Sequence, residues 1–162
     1  MSGPRVNSYP RRTLPFLYLA ILCGTLGCRA VSPLPPVNFN APGWSLHQGQ
    51  AVWRLPRGSQ EIAGEVLVAT GPDEQAFVQF SKVPFPLVIA RAASNRWEIE
   101  FPPQNKHYAG HGQPPKRLMW LYLARVLAGE PPPRNWRWRE TSADWRLENP
   151  ATGESLSGYF GQ

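Results

Sequence analysis

The sequence predicts a β-rich α+β domain: a curved antiparallel sheet or half-barrel of about seven or eight strands wrapped on one long apolar helix. Three observations carry that reading. Most of the chain beyond its start is a series of short strand-like segments separated by turn residues, which implies an antiparallel meander. One segment, Pro115 to Gly129, reads as a helix with apolar residues around nearly its whole circumference. A helix of that kind is covered on several sides. Seven tryptophans supply a bulky interior, each burying on the order of 200 Å².

The first segment is an export signal, Met1 to Gly27. Arg5, Arg11 and Arg12 form a basic start, and Leu14 to Leu26 form an apolar stretch of the length signal peptides use. Thr25-Leu26-Gly27-Cys28 places a small residue before a cysteine, so Cys28 is the candidate lipid-attachment residue. An ordinary secretory signal or a retained anchor are the alternatives. Both cysteines, Cys23 and Cys28, lie in this region. The folded part therefore offers no disulfide, cysteine-ligated metal or cysteine nucleophile. Residues 28–43 follow as a tether rich in proline, with Pro33, Pro35, Pro36 and Pro42, of the kind that spaces a domain from its anchor.

The remaining 44–162 form one domain by length, long enough for a hydrophobic core. The formal charge of +6 includes three arginines of the signal. The balance left is about +3, too small to argue for nucleic acid on its own. Arg134, Arg137 and Arg139 interleave with Trp136 and Trp138, a pattern that can bind single strands. The strict alternation reads better as a strand with tryptophans inward and arginines in water.

The strands follow in order. Ala51, Trp53 and Leu55 alternate with Val52 and Arg54. Ile62 to Thr70 is a valine-rich strand ended by the turn Gly71-Pro72-Asp73. Ala76 to Lys82 and Leu87 to Ala92 are the next two, separated by Pro84 and Pro86. Arg96 to Phe101 alternates cleanly, with Trp97, Ile99 and Phe101 on one face and Glu98 and Glu100 on a solvated one. Pro102 to Gln113 reads as irregular. Trp136 to Glu140, Trp145 to Glu148 and Leu156 to Phe160 complete the sheet.

The helix is placed between them. Pro114 and Pro115 suit its entry, Gly129 its exit, and Pro131 to Pro133 forbid its continuation. Leu118, Leu121 and Tyr122 mark one face, Met119, Leu123 and Val126 another, Trp120 and Leu127 a third. At about fifteen residues it is shorter than the roughly 20 a bilayer span needs.

Catalytic signatures are absent. There is no Gly-rich phosphate loop, Gly-x-Ser-x-Gly elbow or His-Glu-x-x-His motif. His107 and His111 have a helical metal-pair spacing but sit among prolines and glycines. The expectation is a non-enzyme with no cofactor and no metal.

The export signal with Cys28, the strand series from Trp44 to Phe101, the Leu118-to-Gly129 helix with prolines after it, and closing strands with Trp136, Trp138 and Trp145 together resemble the LolA/LolB family. These are a periplasmic lipoprotein carrier and its outer-membrane receptor. The resemblance covers Trp44 to Gln162 and implies a half-open barrel with a cavity for acyl chains. It implies an outer-membrane lipoprotein facing the periplasm, anchored by membrane lipid through Cys28. It would bind acyl chains or lipidated partners as a monomer, without nucleic acid. The cavity would be lined by Trp53, Phe80, Trp97, Ile99, Trp120 and Trp138. The receptor's exposed leucine has no counterpart in the acidic turn Gly71 to Glu74; Phe85, in Val83-Pro84-Phe85-Pro86-Leu87, is the substitute candidate for membrane contact. The alternative is a non-catalytic structural lipoprotein whose barrel is filled by its own helix and whose outer face docks a protein partner.

Overall fold

A computed structural model describes residues 32–57 and 60–161. The export signal and Cys28 lie outside the described residues. The described residues form one antiparallel sheet of nine strands with a single short α-helix and one turn of 3₁₀ helix at Pro102–Gln104. The strands are β1 (Ser45–Arg54), β2 (Glu61–Thr70), β3 (Ala76–Lys82), β4 (Phe85–Ala93), β5 (Arg96–Phe101), β6 (Lys106–His111), β7 (Arg137–Glu140), β8 (Trp145–Asn149) and β9 (Glu154–Phe160). The helix α1 is Trp120–Leu127.

The spatial order is β6-β5-β4-β3-β2-β1-β9-β8-β7. Strands β1 to β6 form a meander, and β9 returns to the free side of β1. Consecutive strands β6 and β7 thus end at opposite edges, and α1 lies on the connection between them. The β1–β9 seam is close. A Cβ on Gly49 would stand 1.9 Å from the Tyr159 carbonyl oxygen, so only glycine fits there.

Alternation decides which face is which. Ala51 and Trp53, Val66 and Val68, Val78 and Phe80, Val88 and Ala90, and Ile99 point to one side of β1 to β5. Trp145, Leu147 and Leu156 continue that side on β8 and β9. All join Met119, Trp120, Leu121, Leu123 and Ala124 in one buried cluster. Fully burying each Val, Leu, Ile or Phe of this set contributes about 1.5–3 kcal/mol. The helix packs on β2, β3 and β4. Gly129, in the left-handed region at φ +90°, closes it; the Glu130 N–H donates to the Arg125 carbonyl at 3.0 Å, as in a Schellman stop.

The helix is shorter than the sequence implies, eight residues rather than about fifteen. Pro115 to Leu118 instead make a turn, with the Leu118 N–H on the Pro115 carbonyl at 2.9 Å. Short helices take their stability from tertiary packing, and Lys116 and Arg117 are exposed. Helical structure begins where the chain reaches the apolar face. The ninth strand is β6, in the segment expected to be irregular. Its sequence, Lys-His-Tyr-Ala-Gly-His, lacks apolar alternation. Its extended form is held by the ladder with β5, from Phe101↔Lys106 to Arg96↔His111. The reversal before it uses Asn105 at φ 49°, a residue that tolerates that region.

The segment expected as a free tether also differs over its described part. The compact unit begins at Ser32, not Trp44. Ser32 to Gly43 lies on the outer face of β3 to β5. Leu34 is buried there, and Phe39 packs edge-on against Trp44 and Phe77, centroids 5.6 and 5.1 Å away. No helix among the described residues is long and apolar enough to cross a membrane.

Candidate functional site

Of the six residues expected to line a cavity, Trp53, Phe80, Ile99 and Trp120 belong to the buried cluster, and Trp97 and Trp138 pack against it. Trp53, Phe80 and Trp120 meet in a packed aromatic cluster. Phe80 stacks on Trp120 at 5.1 Å and 30°, while Trp53 meets Trp120 edge-on at 5.2 Å and 84°. Phe80 and Ile99 have no exposed surface, and Trp120 has 2 %. Strands β1 and β3 aim Trp53 and Phe80 inward by alternation, and the first residue of α1 drops its indole between them. Trp120 and Leu123 both lie within the buried cluster between helix and sheet.

Trp138 packs at the rim of the cluster. It stacks on Trp145 at 6.0 Å, which stacks in turn on Phe160 at 5.3 Å. Trp136, expected on the same strand, precedes β7, and its indole donates to the Lys116 carbonyl at 2.8 Å. That bond pins the turn leading into α1 to the β7 approach.

Trp97 borders a cleft. The cleft lies at the C-terminal end of α1, between Ala124 and Arg125 of the helix with Ala128 just beyond it, and Ala76, Ala92 and Trp97 on the sheet. Its volume is about 130 Å³, below the roughly 300–1,000 Å³ of sites for drug-sized ligands. Trp97 Nε1 has no hydrogen-bond partner among the described residues. An Arg125–Glu130 ion pair at 2.6 Å stands at the mouth. The Arg125 guanidinium lies 5.9 Å from the Tyr122 ring centroid. Burial raises the Tyr122 phenol, with nearby Arg125 opposing it, so the hydroxyl stays protonated and donates to the Pro114 carbonyl.

Phe85 is 69 % exposed and Val83 66 %. With Pro84 they make a bare apolar tip on the β3–β4 turn. It is the most exposed large apolar group described.

Glu98 corrects the reading of β5. It was expected on a solvated face with Glu100, yet it is 3 % exposed, because the N-terminal segment covers it. Its carboxylate pairs with Arg91 of β4 and accepts the Leu34 N–H at 3.0 Å. His107 Nε2 lies 3.7 Å away. Arg91 also donates to the carbonyls of Leu34 and Pro35 at 3.5 and 3.4 Å. Arg96 donates to the Ser32 carbonyl. Sequence reasoning missed this cluster. The available signal was Arg91, a lone charge inside the apolar run Leu87 to Ala92. His107 and His111 are four residues apart on an extended strand, about 13 Å, too far to share an ion.

No protein-family model matches the chain, and no curated protein matches it.

Proposed function

We propose that this chain is a non-catalytic lipoprotein of the cell envelope, anchored through Cys28, whose half-barrel is filled by its own helix and whose exposed surface docks a protein partner. The observation that supports this is the packing of the helix on the sheet: Trp120 and Leu123 are both at most 2 % exposed. The Val83–Phe85 tip is the docking point in this reading, since a bare aromatic at a turn is a ready anchor for a partner pocket. The anchor, the outer-membrane placement facing the periplasm and the likeness to LolA/LolB rest on the signal, Cys28 and the strand–helix–strand pattern.

A second reading keeps the acyl-chain function and moves it to the end cleft. The unpartnered Trp97 indole and the alanine-lined wall favour it. An acyl chain gains about 0.8 kcal/mol per buried methylene, but a cleft of about 130 Å³ holds only part of one.

Two measurements test the proposal. Labelling cells with a fatty-acid analogue should mark the wild type and not Cys28→Ser, which should become soluble in the periplasm. A native mass spectrum of the folded protein should show no co-purifying lipid beyond the covalent anchor. An unlabelled wild type contradicts the anchor; a bound lipid favours the second reading.

A further inference from the structure

The outer-face segment determines how an anchor at Cys28 would hold the domain, an inference that rests on the proposed lipid attachment. As a free linker, the sixteen steps from Cys28 to Trp44 would span on the order of 50 Å when extended. Such a linker would let the domain take any orientation above the bilayer.

The structure removes most of that freedom. The Ser32 carbonyl accepts from Arg96, and Leu34 is held by Glu98 and Arg91. Phe39 lies against Trp44 and Phe77. Releasing Leu34 would take a donor from a carboxylate that is 3 % exposed, a costly loss for a buried charged acceptor. The strap from Ser32 to Gly43 therefore belongs to the folded body. Cys28 precedes Ser32 by four residues in sequence, a chain contour of at most about 14 Å.

We propose that the strap makes Cys28 a short mooring that holds the β4–β5 turn against the phospholipid surface and directs the Val83–Phe85 tip away from it. Arg96, which holds Ser32, pairs with Ala93 directly across the Ser94-Asn95 turn. Around it are exposed Ser94, Asn95, His111 and Gly112. These groups suit contact with hydrated headgroups and carry no apolar side chain to insert. Strand β4 then runs nine residues back to Phe85, a length of about 26 Å. Phe85 accordingly serves a partner on the aqueous side, not the membrane that carries the anchor.

The test uses the full lipidated protein in phosphatidylcholine–phosphatidylglycerol vesicles containing a headgroup nitroxide quencher. A fluorophore is placed at Ser94→Cys or at Val83→Cys. Quenching at position 94 should exceed that at position 83 several-fold. Inserting a Gly-Ser spacer of about 12 residues, with an r.m.s. reach near 20 Å, between Cys28 and Ser32 should erase the difference and leave the fold intact. Equal quenching at both sites in vesicle-bound wild type overturns the mooring while the anchor stands. Stronger quenching at position 83 also overturns it and returns Phe85 to membrane contact. Protein that stays out of the vesicle fraction and lacks an acyl mass at Cys28 overturns anchor and mooring together.

Discussion

Trp120 stacks on Phe80 with ring centroids 5.1 Å apart at 30°. One residue opens the helix; the other sits at the middle of the sheet. Their contact ties α1 to β3 at the centre of the core and leaves no free space between them. The Trp120 Nε1 has no hydrogen-bond partner among the described residues, so this indole is held by packing, with Trp53 edge-on beside it.

Truncating the wedge should therefore unfold the protein, not open a site. Trp120→Ala should cost about 3–5 kcal/mol and Leu123→Ala about 2–5, either a large share of a typical 5–15 kcal/mol. Urea titrations measure both. Losses under 1 kcal/mol, with new binding of an apolar fluorescent probe, would make α1 a lid.

The β1–β9 seam gives a backbone test. In Gly49→Ala the new methyl would meet the Tyr159 carbonyl oxygen at 1.9 Å, so the strands must part. A loss of about 2–3 kcal/mol is expected. Amides of β9 should lose hydrogen-exchange protection ahead of those of β3. Unchanged stability would mean the seam can shift without loss.

Removing Arg91 should loosen the strap. Arg91→Ala leaves Glu98 buried without its counter-charge. Because Arg91 is about a quarter exposed (24 %), the expected cost falls below the 3–5 kcal/mol of a fully buried pair, at about 2–3. Proteolysis should then cut first within Ser32 to Gly43. A strap as resistant as in the wild type would show that Phe39 and Leu34 hold it alone.

Two glutamates respond to pH in opposite senses. Burial raises the Glu154 carboxyl above its ordinary 4.5, only partly offset by the Trp53 indole hydrogen bond. The folded state thus prefers it protonated. Its contribution is fully present below pH 4.5 and is lost as pH rises through the higher folded value. Glu148 is lowered, chiefly by its hydrogen bond from Arg146. Its contribution is present above 4.5 and is lost as pH falls through the depressed folded value. Glu154→Gln should raise the melting temperature at neutral pH, and the gain should vanish below pH 4.5. A gain that persists there would rule out carboxylate burial as its cause.

Much of the fold was legible because strand alternation is local. Trp97-Glu98-Ile99-Glu100-Phe101 marked β5 with its full bounds, and Ala76 to Lys82 marked β3. What was not legible depends on partners distant in sequence. Strand β6 exists through its ladder with β5, since its own side chains do not alternate. Helix α1 stops short at Trp120 because contact with the sheet, not propensity, decides where it starts. Glu98 reads as solvent-facing until Leu34, 64 positions earlier, covers it. Of the expected cavity residues, the inward direction of Trp53, Phe80 and Ile99 followed from strand parity. Whether they faced a void or Trp120 depended on where the helix docked.

The most direct test is native-state hydrogen exchange on the α1 amides. A helix that plugs the sheet can expose its backbone only when the whole core opens. Amides from Leu123 to Leu127 should then exchange with the global unfolding free energy and the full denaturant dependence of the β3 amides. Exchange through a smaller opening, with weak denaturant dependence while β3 stays protected, would mean the helix lifts as a lid, and the filled-barrel account would be wrong.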